Sequence, residues 1–319
     1  MPLKRNVMRH GSGRRKCCKC LRRYKSLRVA YGQNSMNQGP QLLEEVRSPM
    51  VGQISVRAAQ QPALTLFAIG LIGMGVLALV YGDFAMVWQP VAPWFPGRTV
   101  LAYGSGVLMV GCGVGLFFRA TTAWALRIVL PYLVVWQMLK FPSLVVAPKM
   151  EAVYLGFGEI AVLLAGGWTL FARLGDLSGT KFAWAGGEQA VRFARYYFAV
   201  WIIPIGISHV LYLKPTLDLI PPFLPGKVFW AYLTGIGQIA SGLGVLFGVL
   251  PRVAAWAEAA QISLYALLIW LPAILLENKN LGPSFAHANQ RLSLTAFFIS
   301  WIIAAGAWAV AQNVRHKKE

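Results

Sequence analysis

Eight separate runs, each about twenty residues long and almost free of charge, leave one environment in which this chain can fold. They cover about 63–82, 99–118, 121–140, 153–172, 196–213, 228–250, 253–276 and 292–311. A helix of about 20 apolar residues crosses about 30 Å of hydrocarbon. Lipid offers no partner for backbone N–H and C=O groups, so each run must satisfy its own as a helix. The alternating pattern of a membrane β-barrel is missing. The spacing therefore predicts an all-α integral membrane protein with eight transmembrane helices. The composition agrees, with 57% hydrophobic and 13% charged residues, far from a soluble domain.

The chain repeats itself. At a fixed offset of 129, Pro93/Pro222, Pro96/Pro225, Gly97/Gly226, Ala102/Ala231, Tyr103/Tyr232, Gly106/Gly235, Gly113/Gly242, Gly115/Gly244 and Phe118/Phe247 coincide. Trp124 and Trp256 match at 132, and Ala165, Gly166 and Trp168 match Ala305, Gly306 and Trp308 at 140. Such self-similarity marks two copies of one structural unit. Each copy joins a Pro-rich loop to a glycine-studded apolar run and holds four spans. An even count gives both copies the same orientation, so the expected architecture is two fused four-helix bundles in parallel. The expected divisions are a basic, disordered tail (1–61), a first unit (62–173), a linker (174–195), a second unit (196–311) and a short tail (312–319).

The net charge of +19 invites a nucleic-acid reading, but its distribution excludes it. Residues 1–62 hold 13 Lys/Arg against 2 acids. With eight spans and the N-terminus inside, the inner segments carry 22 Lys/Arg and the outer loops 7. Lys140 counts among the outer residues, and Arg127 remains inside a span. This bias places both termini on the cytoplasmic side of the plasma membrane. The basic tail lacks the apolar core of a signal peptide, and Met36 and Met50 are alternative starts to Met1. Cys17, Cys18 and Cys20 with His10 offer four ligands, but adjacent cysteines in a floppy tail suit a closed zinc site poorly. A polybasic, acylated tail drawn to the membrane surface is the other functional reading. No metal site and no disulfide framework are expected.

Gly111-x-Gly113-x-Gly115 lies mid-span with no strand before it, so it is no nucleotide loop. Gly111/Gly115 and Gly244/Gly248 read as small-xxx-small pairs that let helices approach. Polar groups inside spans are costly and therefore informative. Arg127 and Glu258 lie at similar depth near the inner surface, one residue apart in the repeat alignment. They read as an intramembrane ion pair, serving as a tie between units or as a proton or ligand site. The third reading leaves them snorkelling to the interface. Glu159, His209 and Tyr232 lie toward the outer ends of their spans and Gln238 near the midplane, and the four are the candidates for a shared polar pocket open to the outside. A carboxylate and an imidazole there would relay a proton or hold a polar headgroup. His209 is the only span histidine, which excludes a haem held between two of them. No residue pattern for nucleophilic hydrolysis is present.

The second unit resembles the DoxX-like family of four-helix membrane proteins. The resemblance rests on Gly206-Ile-Ser-His209, Pro222-x-x-Pro225, Tyr232-x-Thr-Gly-Ile-Gly-Gln238-x-x-x-Gly-Leu-Gly and the turn Pro251-Arg252-x-Ala-Ala. It covers about 200–276 well, the last helix loosely, and the first unit through its loop prolines and glycines. The family usually carries a glutamate where this chain has Gln238. The resemblance implies a subunit of a quinone-linked membrane redox complex, with quinone and a redox partner subunit supplied from outside, since no redox centre is encoded. The alternatives are a carrier or binder of a small apolar molecule, and a structural membrane partner without catalysis.

Overall fold

The structure is a computed structural model. It describes the backbone of residues 39–176 and 183–314, and the side chains of 57–176 and 183–314. The Cys17-Cys18-Lys19-Cys20 cluster, His10, Met1, Met36 and residues 315–319 lie outside the described residues. The chain divides into residues 1–55 and 56–319, and the eight spans belong to the second.

The described residues are helical, with no strand. In order, the helices are α1 (Gly39–Tyr81), α2 (Arg98–Phe117), α3 (Arg119–Val146), α4 (Glu151–Leu174), α5 (Gly187–Leu211), the short α6 (Leu213–Leu219), α7 (Lys227–Phe247) and α8 (Pro251–Tyr265). A π-helical turn (Ala266–Trp270) joins α8 to α9 (Leu271–Leu275), and α10 (Gln290–Gln312) closes the chain. Eight stretches are long and apolar enough to cross a membrane: Arg57–Tyr81, then α2, α3, α4, α5, α7, Pro251–Leu275 and α10.

The boundaries follow local chemistry. Gly97 and Gly226 precede α2 and α7 with φ of 70° and 67°. That left-handed geometry costs a glycine nothing. Pro251 occupies the first turn of α8, where a missing N–H is harmless. The Asn289 side chain accepts from the Leu292 N–H at 2.9 Å and caps α10.

Three boundaries differ from expectation. Residues 39–61 are helical rather than disordered. The helix α3 runs on to Val146, so Lys140 is a buried helical residue, 8% exposed, and not part of a loop. The helix α5 begins at Gly187, so Arg192 and Arg195 belong to its first turns rather than to a linker.

The segments 82–97, 147–150, 212–226 and 276–289 share one end of the helices, hereafter the loop face. Arg291 donates to the Phe84 carbonyl and bonds Asp83 there. Asp218 accepts from the Ser284 N–H at the same end.

Glycines set the helix contacts, and of those expected Gly115 and Gly244 take part, against Ala125 and Ala254 of the following helices. A methyl group on Gly106 would meet the Gly75 oxygen at 2.9 Å, and one on Gly113 would meet the Ala68 oxygen at 2.9 Å. In the second copy, Gly235 faces the Gly206 oxygen at 2.8 Å and Gly242 faces the Ala199 oxygen at 2.7 Å. Residues seven apart lie on one helical face, two turns apart, so these pairs seat α2 on α1 and α7 on α5. Gly111 and Gly248 face open space, which removes them from the packing role read from their spacing.

The helices α4 and α10 are the most enclosed. Of their most apolar windows, 78% and 67% are buried, against 50% or less for the other spans. The helix α4 packs on α3, α5 and α10, and α10 on α8 and α4. Gly70 and Gly73 of α1 lie against Ile302 and Phe298 of α10. Where α4 and α10 touch, Gly166 meets Gly306 backbone to backbone.

Candidate functional site

Four helices each turn one stripe toward a common space. On α4 the stripe is Ala152, Leu155 and Glu159, and on α5 it is Ile202, Ile205 and His209. On α7 it is Thr234 and Gln238, and on α8 Ile262 and Tyr265. Spacings of three, four and seven place residues on one helical face. With Ser300 and Ile303 of α10, they enclose a cavity of ≈ 460 Å³. Pro215, Thr216 and Leu219 of α6 and Phe285 form its roof on the loop face. Asp218 fixes that roof through its carbonyl, which accepts from Gly282 N at 2.8 Å, and its carboxylate, which accepts from Ser284 N at 2.9 Å. The same Ser284 bonds hold the Asp218 carboxyl below its ordinary value.

The cavity therefore brings together Glu159, His209 and Gln238 of the expected pocket, but not Tyr232. Tyr232 is 40% exposed on the outside of α7. It lies six residues before Gln238, which is about 240° around a helix of 3.6 residues per turn. Thr234, four residues before Gln238, holds the place on the inner face.

His209 sits in a small network. Its Nδ1 lies 3.3 Å from Thr234 Oγ1 and 3.5 Å from the Tyr265 hydroxyl. Gln261 Nε2 donates to Tyr265 Oη at 2.7 Å and to the Thr234 carbonyl at 2.9 Å. Thr234 donates its own proton to the Trp230 carbonyl at 2.9 Å. Where Tyr265 gives its proton to His209 Nδ1, the imidazole proton lies on Nε2. Nε2 makes no hydrogen bond among the described residues and stands at the cavity wall.

Glu159 faces the Lys140 ammonium and the Trp88 indole N–H, and no ion pair within 4.0 Å joins it to Lys140 among the described residues. Deeper in, Gln238 Nε2 donates to Glu258 Oε1 at 3.2 Å. Both side chains are 1% exposed, and Gln238 Oε1 and Glu258 Oε2 have no partner.

The expected Arg127–Glu258 ion pair is not formed. Arg127 donates from Nε to the Gly175 carbonyl at 3.0 Å and from Nη2 to the Asp176 carbonyl, and lies 5.0 Å from the Trp124 ring centroid. It thereby satisfies carbonyls at the end of α4. Leu126, 1% exposed, holds the position that corresponds to Glu258. One residue further along turns a side chain by about 100°, which sends Arg127 to the edge.

A second, nearly closed cavity of ≈ 30 Å³ lies elsewhere among the helices, and the two are counterparts. The paired glycine contacts align α1 with α5 at an offset of 131 (Gly75 with Gly206, Ala68 with Ala199), and there Leu71 and Met74 of the small one match Ile202 and Ile205 of the large one. Met109 matches Gln238, Ile160 and Leu163 match Ser300 and Ile303, and Ile299 matches Glu159. Ser105 matches Thr234, and each lies beside a tyrosine of the next helix, Tyr132 or Tyr265. The small cavity is filled by its own loop. Trp88 and Gln89, each 7% exposed, descend into it, and Gln89 Nε2 donates to Tyr132 Oη at 2.9 Å. Ser105 Oγ stands 2.6 Å from the same hydroxyl.

Tyr265, Thr234, Gln261 and Lys140 escaped sequence reasoning. Thr234 and Gln238 share a face at spacing four, and Glu258, Gln261 and Tyr265 share one at three and seven. Those spacings were the available signal. Among the described residues no group of three or more His, Cys, Asp or Glu could hold a metal ion.

Compared with family models, curated proteins and solved structures, the chain matches none.

Proposed function

We propose that this is a multi-pass plasma-membrane protein that binds a small, mainly apolar molecule with a polar head in the cavity beside His209. The observation that carries this reading is the ≈ 460 Å³ cavity lined by Glu159, His209, Thr234, Gln238 and Tyr265 among isoleucines. Ligand sites are concave, mostly apolar and furnished with a few convergent polar groups. Its counterpart is packed shut, so the space is not a general property of the repeat. In this reading the chain is two fused four-helix units of DoxX-like type in parallel orientation, with both termini cytoplasmic. The matching glycine contacts and matching cavity walls support that arrangement.

The quinone-linked reading is the second. His209 Nε2–H is a donor suited to a ring oxygen, and Ile202, Ile205, Ile262 and Ile303 are walls suited to a ring face. The residues present therefore fit a quinone head. A bound quinone would supply the redox chemistry, while His209 would orient it and Tyr265 would hold the imidazole tautomer. A redox partner subunit would then be required.

The test is purification in mild detergent, followed by extraction and mass spectrometry of co-purified small molecules. Wild-type protein should carry a molecule that Thr234→Trp, which fills the cavity, loses. Identical extracts from the two proteins, each folded by circular dichroism, would overturn the reading.

A further inference from the structure

The filled cavity shows what the open one lacks. In the first copy the Tyr132 hydroxyl is met by the Gln89 amide, and the Trp88 indole and Met109 occupy the interior. In the second copy His209 takes the place of that amide, with its Nδ1 at 3.5 Å from Tyr265 Oη. Gln238 replaces Met109. Nothing replaces the indole. The segment equivalent to the Trp88-Gln89 loop, at the offset of 129, is Leu217-Asp218. It belongs to α6 and is held in the roof by Asp218.

We infer that the open cavity takes a planar ring about the size of an indole, carrying one hydrogen-bond acceptor aimed at His209 Nε2. This rests on the ligand-binding reading above and names its ligand class. The first copy is then a built-in replica of the liganded state, with Trp88 as the tethered ring. Two sets of observations point the same way. Six wall positions correspond, so the second side leaves room where the indole sits in the first. The polar end corresponds as well, because both tyrosines lie beside a hydroxyl residue of the preceding helix. A linear chain of equal size has a rotatable bond at each carbon and loses more conformational freedom on entering such a space than a rigid ring does.

Two probes separate the alternatives: 1-naphthol, planar with one hydroxyl, and 1-decanol, linear with the same carbon count and one hydroxyl. Binding is measured calorimetrically on the full chain in detergent, with the Ile205→Trp variant as the reference for micelle partitioning. That variant places an indole in the open cavity, as Trp88 does in its counterpart. The expected result is one naphthol per chain, bound about tenfold more tightly than decanol and lost in Ile205→Trp. A second variant, Trp88→Ala, empties the filled cavity, takes the indole N–H away from Glu159 of the open one, and should raise the naphthol stoichiometry to two. Equal affinity for decanol and naphthol, both sensitive to Ile205→Trp, would overturn the ring class while the ligand-binding reading stands. No binding of either probe beyond the Ile205→Trp reference would overturn both. A stoichiometry unchanged in Trp88→Ala would overturn the correspondence of the two cavities.

Discussion

A single methyl group at the crossing of α4 and α10 tests how tightly the two central helices are held. A Cβ added to Gly166 would lie 3.0 Å from the Gly306 carbonyl carbon and closer still to its Cα. One added to Gly306 would lie 3.0 Å from Gly166 Cα, with its next neighbour at 3.6 Å. Carbon atoms rest at about 3.5–4.0 Å, and a gap of about 0.5–1 Å already forfeits a quarter to a half of a contact's attraction. Gly166→Ala therefore forces the helices apart by about 1 Å or more and loosens every contact along the crossing. Overpacking of this kind costs about 1–3 kcal/mol. Gly306→Ala needs a shift of only about half an ångström and should cost about 1 kcal/mol or less. Replacing glycine by alanine inside a helix gains about 1 kcal/mol of propensity. Both variants share that gain, so their difference isolates the crossing. Thermal or detergent-titration unfolding, followed by tryptophan fluorescence, measures it. The expected order is wild type and Gly306→Ala close together, with Gly166→Ala clearly below. Equal melting of the two variants, or Gly306→Ala the weaker, would refute a backbone-to-backbone contact at this point.

Other expectations concern polar groups. Asp83 is held by Arg98 at 2.6 Å and Arg291 at 3.1 Å. Burial pushes its carboxyl up, but the Phe84 N–H and the Arg291 and Arg98 guanidiniums outweigh it and hold it below the ordinary value. A depressed folded-state value means that its contribution is full above about pH 4 and fades as pH falls further. Asp83→Asn should therefore lose about 1 kcal/mol at pH 7 and flatten the acid limb of the stability curve; an unchanged limb would count against the clamp. Glu258→Gln keeps a hydrogen-bonding partner for Gln238 and should melt near wild type. Glu258→Ala strands Gln238 and should lose about 1–3 kcal/mol by thermal unfolding. Arg127→Ala frees the carbonyls of Gly175 and Asp176, so hydrogen exchange at the end of α4 should accelerate while exchange around Glu258 stays unchanged.

The spans were legible because lipid admits one backbone solution, and hydropathy reads it directly. Their ends were less legible. Lys140 reads as a loop cation because charge normally ends a span, whereas here α3 continues past it and the Glu159 carboxylate faces it across the helix pair. The pocket was half legible, because depth along a helix can be counted from its ends but rotation needs a reference face. Arg127 shares the depth of Glu258, and Tyr232 lies within about two turns of Gln238, yet both face elsewhere. Gly111 and Gly115 have a familiar spacing, yet Gly111 faces open space and Gly115 meets Ala125 of α3, while the contacts with α1 fall on Gly106 and Gly113, because the partner helix fixes which stripe is covered. The paired cavities were hidden for another reason. Their walls correspond at separate offsets, 129 for α2 and α7 and 140 for α4 and α10, so no single shift of the sequence reveals them together.

The contact between α1 and α10 also sets a timetable. Trp301 Nε1 donates to the Leu66 carbonyl at 3.1 Å across 235 residues of chain, and Gly70 and Gly73 wait for Ile302 and Phe298. At a synthesis rate of about 5–20 residues per second, that separation lasts about 10–50 s. Throughout that interval the first helix stands in the membrane with its glycine face turned to lipid, and any neighbouring helix with small residues can settle there. The helix α10 is thus the one that closes this contact, 235 residues after α1 has supplied its side of it.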